Sequence, residues 1–183
     1  MVTLIEILRY LRPSLTDKDF FSDIQIRDDG DGEYVAVWNT RKCSQPSQAD
    51  IDNATSAADL YWCKTRVCET VNKYWENAVN SGFNYNYYEE DYLFAMDDRT
   101  LFIIGCRLVY LEPSGSATSS ELSFYTVDST QVVFLSVVDF STFCRSLIAE
   151  RNRLDQKRLS LKKQISDAGT ADDVLAIDIL TGW

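Results

Sequence analysis

The chain has no histidine. That absence removes the serine–histidine and cysteine–histidine nucleophiles and the imidazole general base. It also leaves any zinc site to cysteines and carboxylates alone. No P-loop, GxGxxG or GxSxG sequence occurs, so the common phosphate cradles and the nucleophile elbow are missing too. Five cysteines are present (Cys43, Cys63, Cys68, Cys106 and Cys144) but no CxxC pair. Cys63 and Cys68 would fall on different faces of a helix. The expectation is five free thiols in a reducing compartment. Positive charge is scarce: 18 Lys and Arg stand against 28 Asp and Glu, a net charge of −10. A nucleic-acid partner would need the opposite balance. Eighteen apolar residues never run together, so no membrane insertion is expected. The start, MVTLIEILRYLRPS, is interrupted by Glu6 and Arg9 and lacks a positive flank, so it does not read as a signal peptide. No internal repeat is visible.

Aromatic and apolar residues are plentiful: 45% of the 183 residues are hydrophobic and 13% aromatic, enough for a folded core. The strongest pattern is the glycine-free and proline-free stretch Val137–Ala168. Leu147, Leu154 and Leu161 recur every seven residues, and Cys144, Arg151, Arg158 and Ile165 form a second row offset from it. Such a narrow stripe predicts a long helix, and it suits either the chain's own sheet or a seam between copies. Leu147, Leu154, Leu161 and Ile165 are the expected oligomer seam.

Residues 2–12 predict a short amphipathic helix stopped by Pro13. Its row Leu4, Ile7, Leu8 and Leu11 is too short to stand alone, so it should dock on a neighbour or on its own domain. Residues 23–39 predict a β-hairpin around the turn sequence DDGDG. The spacing of Asp28, Asp29 and Asp31 lacks the closing glutamate of a calcium loop, which favours a plain turn. CSQPSQ at 43–48 reads as a linker, and Ser47 with Asp50 starts a long helix that Gly82 ends.

Phe83–Met96 alternates aromatic and polar residues and predicts strand, turn and strand. Asp97 to Thr100 opens a helix to about Leu111, and 113–120 reads as a surface loop. Residues 121–127 and 131–135 predict a further hairpin. After Gly169, Thr170 caps a last helix, ADDVLAIDIL. Glu89, Glu90 and Asp91 are adjacent and cannot form a carboxylate pair on one strand face. The tyrosines Tyr85, Tyr87, Tyr88 and Tyr92 could stack on sugar rings or a protein surface, as candidate receptor or glycan contacts.

The fold class expected is α+β: long helices with two small β-hairpins, an oligomeric helical bundle and a compact C-terminal α/β domain. The division expected is an attachment region at 1–46, a connecting helix at 47–80, and a compact domain at 81–183. No catalytic, cofactor-binding or metal-ligating residue is expected.

The C-terminal two-thirds resembles a family of uncharacterised domains of bacteriophage tail and tail-fibre proteins. The motifs that carry the likeness are the GFNYN strand, the helix start Asp97-Asp98-Arg99, and TVDSTQVVFLSVVDF with Phe140 and Phe143. A KKQISDAGTADDVLAID tail closing on Gly182-Trp183 completes them. The DDGDG hairpin ending in VWN is similar to the start of small fibre and fibre-assembly proteins. The lack of histidine and the tyrosine content depart from that family. The resemblance implies a non-enzymatic tail-fibre subunit in the virion, assembled in the host cytoplasm. It further implies self-association as a homotrimer, other tail or baseplate proteins as neighbours, and a host surface receptor. The rival expectations are a fibre-assembly chaperone absent from the particle and a glycan-binding tip.

Overall fold

The computed structural model describes residues 2–114 and 117–183. The fold is α+β: helices with antiparallel strand pairs, each a sheet of two strands. Two compact units divide the chain, Met1–Cys68 with Gln164–Ile177, and Glu69–Lys163 with Asp178–Trp183. This is not the three-part division at residues 46 and 80. The helix expected at 47–80 and the long C-terminal helix each contribute residues to both units.

The first unit begins with α1 (Leu4–Leu11). Thr3 caps it: the Glu6 N–H donates to the Thr3 hydroxyl and the Thr3 N–H to the Glu6 carboxylate, satisfying two orphan donors. α2 (Asp17–Ser22) follows. Thr16-x-x-Asp19 is a second capping box. β1 (Ile24–Asp28) and β2 (Glu33–Trp38) pair antiparallel with an irregularity between Gln25 and Ile26. The turn between them needs Gly30 and Gly32, at φ +100° and +113°. Oδ1 of Asp28 accepts from both glycine N–H groups and so fixes the turn. α3 (Gln48–Asn80) starts on the expected Ser47–Asp50 box. Leu4, Ile7, Leu8, Leu15, Ile24, Ile51, Ala54 and Ala58 form this unit's core. α6 (Ala171–Leu175) completes the unit with a Thr170–Asp173 box. It is half the expected length, because Asp178 then turns the chain by accepting from the Leu180 and Thr181 N–H groups.

In the second unit α3 ends at Gly82, φ +80°, where a Cβ would lie 2.8 Å from the Phe94 carbonyl oxygen. Only glycine fits there. β3 (Phe83–Tyr87) and β4 (Glu90–Phe94) pair in register. α4 (Asp98–Ser114) starts where the Thr100 N–H donates to the Asp97 carboxylate, and runs past the expected stop at Leu111. Of the expected loop at 113–120, Gly115 and Ser116 lie outside the described residues. β5 (Ser123–Tyr125) and β6 (Gln131–Val133) make the last hairpin, and the Val127 N–H bonds the Leu93 carbonyl at 2.9 Å, tying it to β4. α5 (Val137–Asp167) opens on a Ser136–Asp139 cap. The core is aromatic: Phe143 lies 4.4 Å from Phe94, 4.9 Å from Phe134 and 5.2 Å from Tyr85, centroid to centroid.

Candidate functional site

The leucine row of α5 is not a seam between copies. Leu147 and Leu154 are 0% and 1% exposed inside the second unit's core, and Leu161 and Ile165 are buried as well. Their apolar stripe is consumed by the chain's own elements, which leaves it no face for a second copy. The offset row carries arginine for a reason visible only in three dimensions. The guanidinium of Arg158 sits 3.9 Å over the Trp75 ring and that of Arg151 at 5.0 Å, two cations on one indole. The Trp75 Nε1–H donates to the Asp155 carboxylate at 2.8 Å. Arg151, itself buried, reaches the Met96 carbonyl and the Asp98 carboxylate. Arg151 is ion-paired with Asp98 at 3.1 Å and with Asp155 at 3.4 Å, whereas the buried Nε of Arg158 has no hydrogen-bond partner among the described residues.

The α1 row is not free either. Leu4, Ile7 and Leu8 are buried and Leu11 packs on the same cluster, so the helix closes its own unit. The Trp62 indole N–H donates to the Glu6 carbonyl oxygen at 2.9 Å and fixes α1 on α3.

The four tyrosines separate into different roles. Tyr85 faces Phe143 and Phe134, and burial pushes its phenol pKa up. Tyr87 accepts from the Leu135 N–H at 2.8 Å, and burial raises its pKa likewise. Tyr92 donates to the Glu90 carboxylate, which raises its pKa first of all. Only Tyr88 projects, 68% exposed, with its ring edge-on to Tyr87 at 4.7 Å. Both residues of this turn, Tyr88 and Glu89, have positive φ (52° and 65°). A mirror-image two-residue turn of this kind favours Asn-Gly, so a bulky pair here is a strained choice.

Beside the hairpin lies an open groove of about 400 Å³ lined by Asp91, Tyr92, Leu93, Thr126, Val127, Asp128 and Thr130. Its carboxylates are already acceptors. Asp91 takes the Asn86 amide, and Asp128 takes the Thr126 hydroxyl and Thr130 N–H, bonds that hold its pKa below the usual range. Tyr88 is not among the residues that line the groove. Among the described residues no group of three or more His, Cys, Asp or Glu side chains is placed to hold a metal ion. All five cysteines are free thiols, with burial pushing the Cys63 pKa up. Among the described residues no helix is long and apolar enough to cross a membrane.

Sequence reasoning missed the Trp75 clamp, because its members are 76 to 83 residues apart and nothing local joins them. It also missed the exposed Phe21 of α2 and the outer face of α4, where Phe102, Val109 and Tyr110 meet solvent. Compared with family models, curated proteins and solved structures, the chain matches none.

Proposed function

We propose that this chain is a structural component of a bacteriophage tail, a fibre subunit whose work is assembly and contact rather than catalysis. The observation that carries this reading is what the likeness-bearing motifs do. GFNYN forms β3, Asp97 caps α4, Phe140 and Phe143 anchor α5 in the aromatic core, and Trp183 stacks on Tyr74 at 6.5 Å. Every one of them builds a scaffold, and none presents a reacting group. In this reading the neighbours are tail or baseplate proteins. Contacts between copies use surfaces other than the α5 leucines.

The test is mass spectrometry of purified particles. A fibre subunit is present in fixed copy number, whereas its absence from intact particles that need it for assembly would make the chain an assembly chaperone. A second reading, a glycan-contacting tip, is favoured by Tyr88 standing exposed on a strained turn. A glycan array would answer it: binding that is lost in Tyr88→Ala supports it, and no binding to any glycan removes it.

A further inference from the structure

From Leu101 to Leu111, α4 carries apolar side chains on both its buried and its exposed side, interrupted by Gly105 and Arg107, and a helix with apolar residues on both sides is normally covered on both. Thr100, Ile104 and Leu111 are buried on one side. On the other, Phe102, Val109 and Tyr110 are 72%, 78% and 66% exposed, with Cys106 exposed between them. Gly105 is the second anomaly. Glycine in mid-helix is the least favourable residue short of proline. Usually a neighbour explains it, but a Cβ added at Gly105 would meet nothing within 4 Å. Nothing in the folded chain requires a glycine there. A backbone that approaches from outside would.

We propose that this face of α4 packs on α4 of a second copy, antiparallel about a twofold axis passing beside Gly105 and Cys106. Three features select a second copy. The stripe is self-complementary: aromatic residues stand four positions before and four after Cys106, so Phe102 of one copy meets Tyr110 of the other while Cys106 meets its own counterpart. That reciprocity is what a twofold contact demands. Next, the protein carries a net charge of −10, which keeps copies apart, yet between Asp98 and Glu112 the only charges are Arg99 and Arg107. Arg107 is already engaged by the Ser123 carbonyl and the Phe124 and Phe140 rings. On this face two acidic molecules meet without opposing carboxylates. Finally, antiparallel alignment sets the positive end of each helix dipole beside the negative end of the other.

The area sets the strength. Aromatic side chains offer about 150–250 Å² each, so the stripe supplies roughly 400 Å² per copy. Both copies together stay below the ~1,200 Å² of stable complexes, so the pair is weak and reversible. The proposal stands on α4 alone, and absence of the chain from particles would leave it untouched.

The test is sedimentation of the full chain from about 1 to about 300 µM, a range that brackets so small an interface. The mass should rise from monomer to dimer. Gly105→Gln places a good helix former in open space, and Phe102→Glu adds charge at an exposed site. Each should raise Kd at least about tenfold, the loss expected of a central interface position. The dilute melting temperature should be unchanged for Phe102→Glu and higher for Gly105→Gln. A short bismaleimide should join two copies, and Cys106→Ser should abolish the product. A chain still monomeric at the highest concentration overturns the proposal, whether or not another protein covers the face. So does a dimer that survives both substitutions or is joined through a different cysteine.

Discussion

The two units are held by different means. In the first, the fully buried side chains are aliphatic or alanine, and Ala54 and Ala58 let other elements come close to α3. Its helices α1, α2 and α3 each begin on a Thr or Ser box with an acid three residues on, so their positions are written locally. In the second, Phe94, Phe124, Phe134, Phe140 and Phe143 converge from β4, β5, the loop after β6, and α5. Rings meet at particular offsets and tilts, and that packing is specified across long sequence separations. Local caps tolerate a lost methyl group better than an interlocked ring cluster tolerates a lost ring.

The largest effect should follow from Phe143→Ala, which empties the centre of the ring cluster. Urea denaturation should show a loss of about 3–5 kcal/mol. Hydrogen exchange should lose protection mainly within residues 69–163. Loss of less than ~1 kcal/mol would mean that the rings close over the gap and that the contrast between the units is wrong.

Leu8→Ala comes next, at about 2–5 kcal/mol and towards the lower end where small neighbours can settle inward. Exchange should rise in the first unit. If α1 were instead a free docking arm, the substitution would leave stability unchanged.

The smallest effect is conditional on pH. The Lys42 ammonium, then the Thr16 hydroxyl and N–H, all bond one oxygen of the buried Asp19 and hold its carboxyl well below the usual carboxylate range. A depressed folded-state pKa gives stability that is complete above the unfolded value near ~3.9 and fades as pH falls through and below it. Asp19→Asn should therefore destabilise the first unit at neutral pH and flatten its acid limb. An unaltered acid limb would place the sensitivity in other carboxylates.

Much of this architecture could be read from the residues in order, wherever the information was local. Ser47 with Asp50, Asp97 with Thr100, and Gly82 mark boundaries through bonds spanning three or four residues. The heptad row of α5 was legible as a buried row, because periodicity reports which side is covered. What covers it is another matter, since Trp75 reaches Arg151 and Arg158 only through the fold. α2 is six residues long, too short for a period to show. The exposed tyrosine could not be told from its three partly buried neighbours, because alternation in a hairpin names two faces without saying which is outside. The outer face of α4 was hidden for the opposite reason: its apolar residues are the same on both sides, and only accessibility distinguishes them.

The first unit is interrupted in sequence. Val174 is fully buried, the Cys63 thiol reaches the Ala171 carbonyl, and the Lys64 ammonium bonds the Ser166 carbonyl at 2.7 Å. A ribosome making this chain at about 5–20 residues per second leaves an interval of roughly 5–20 s between residues 68 and 164. For that time the nascent first unit lacks its final segment, and the ring cluster of the second unit is complete only once Phe143 has been made. The order of emergence therefore sets which part must wait, and a chaperone or partner meeting the unfinished chain would find the first unit open.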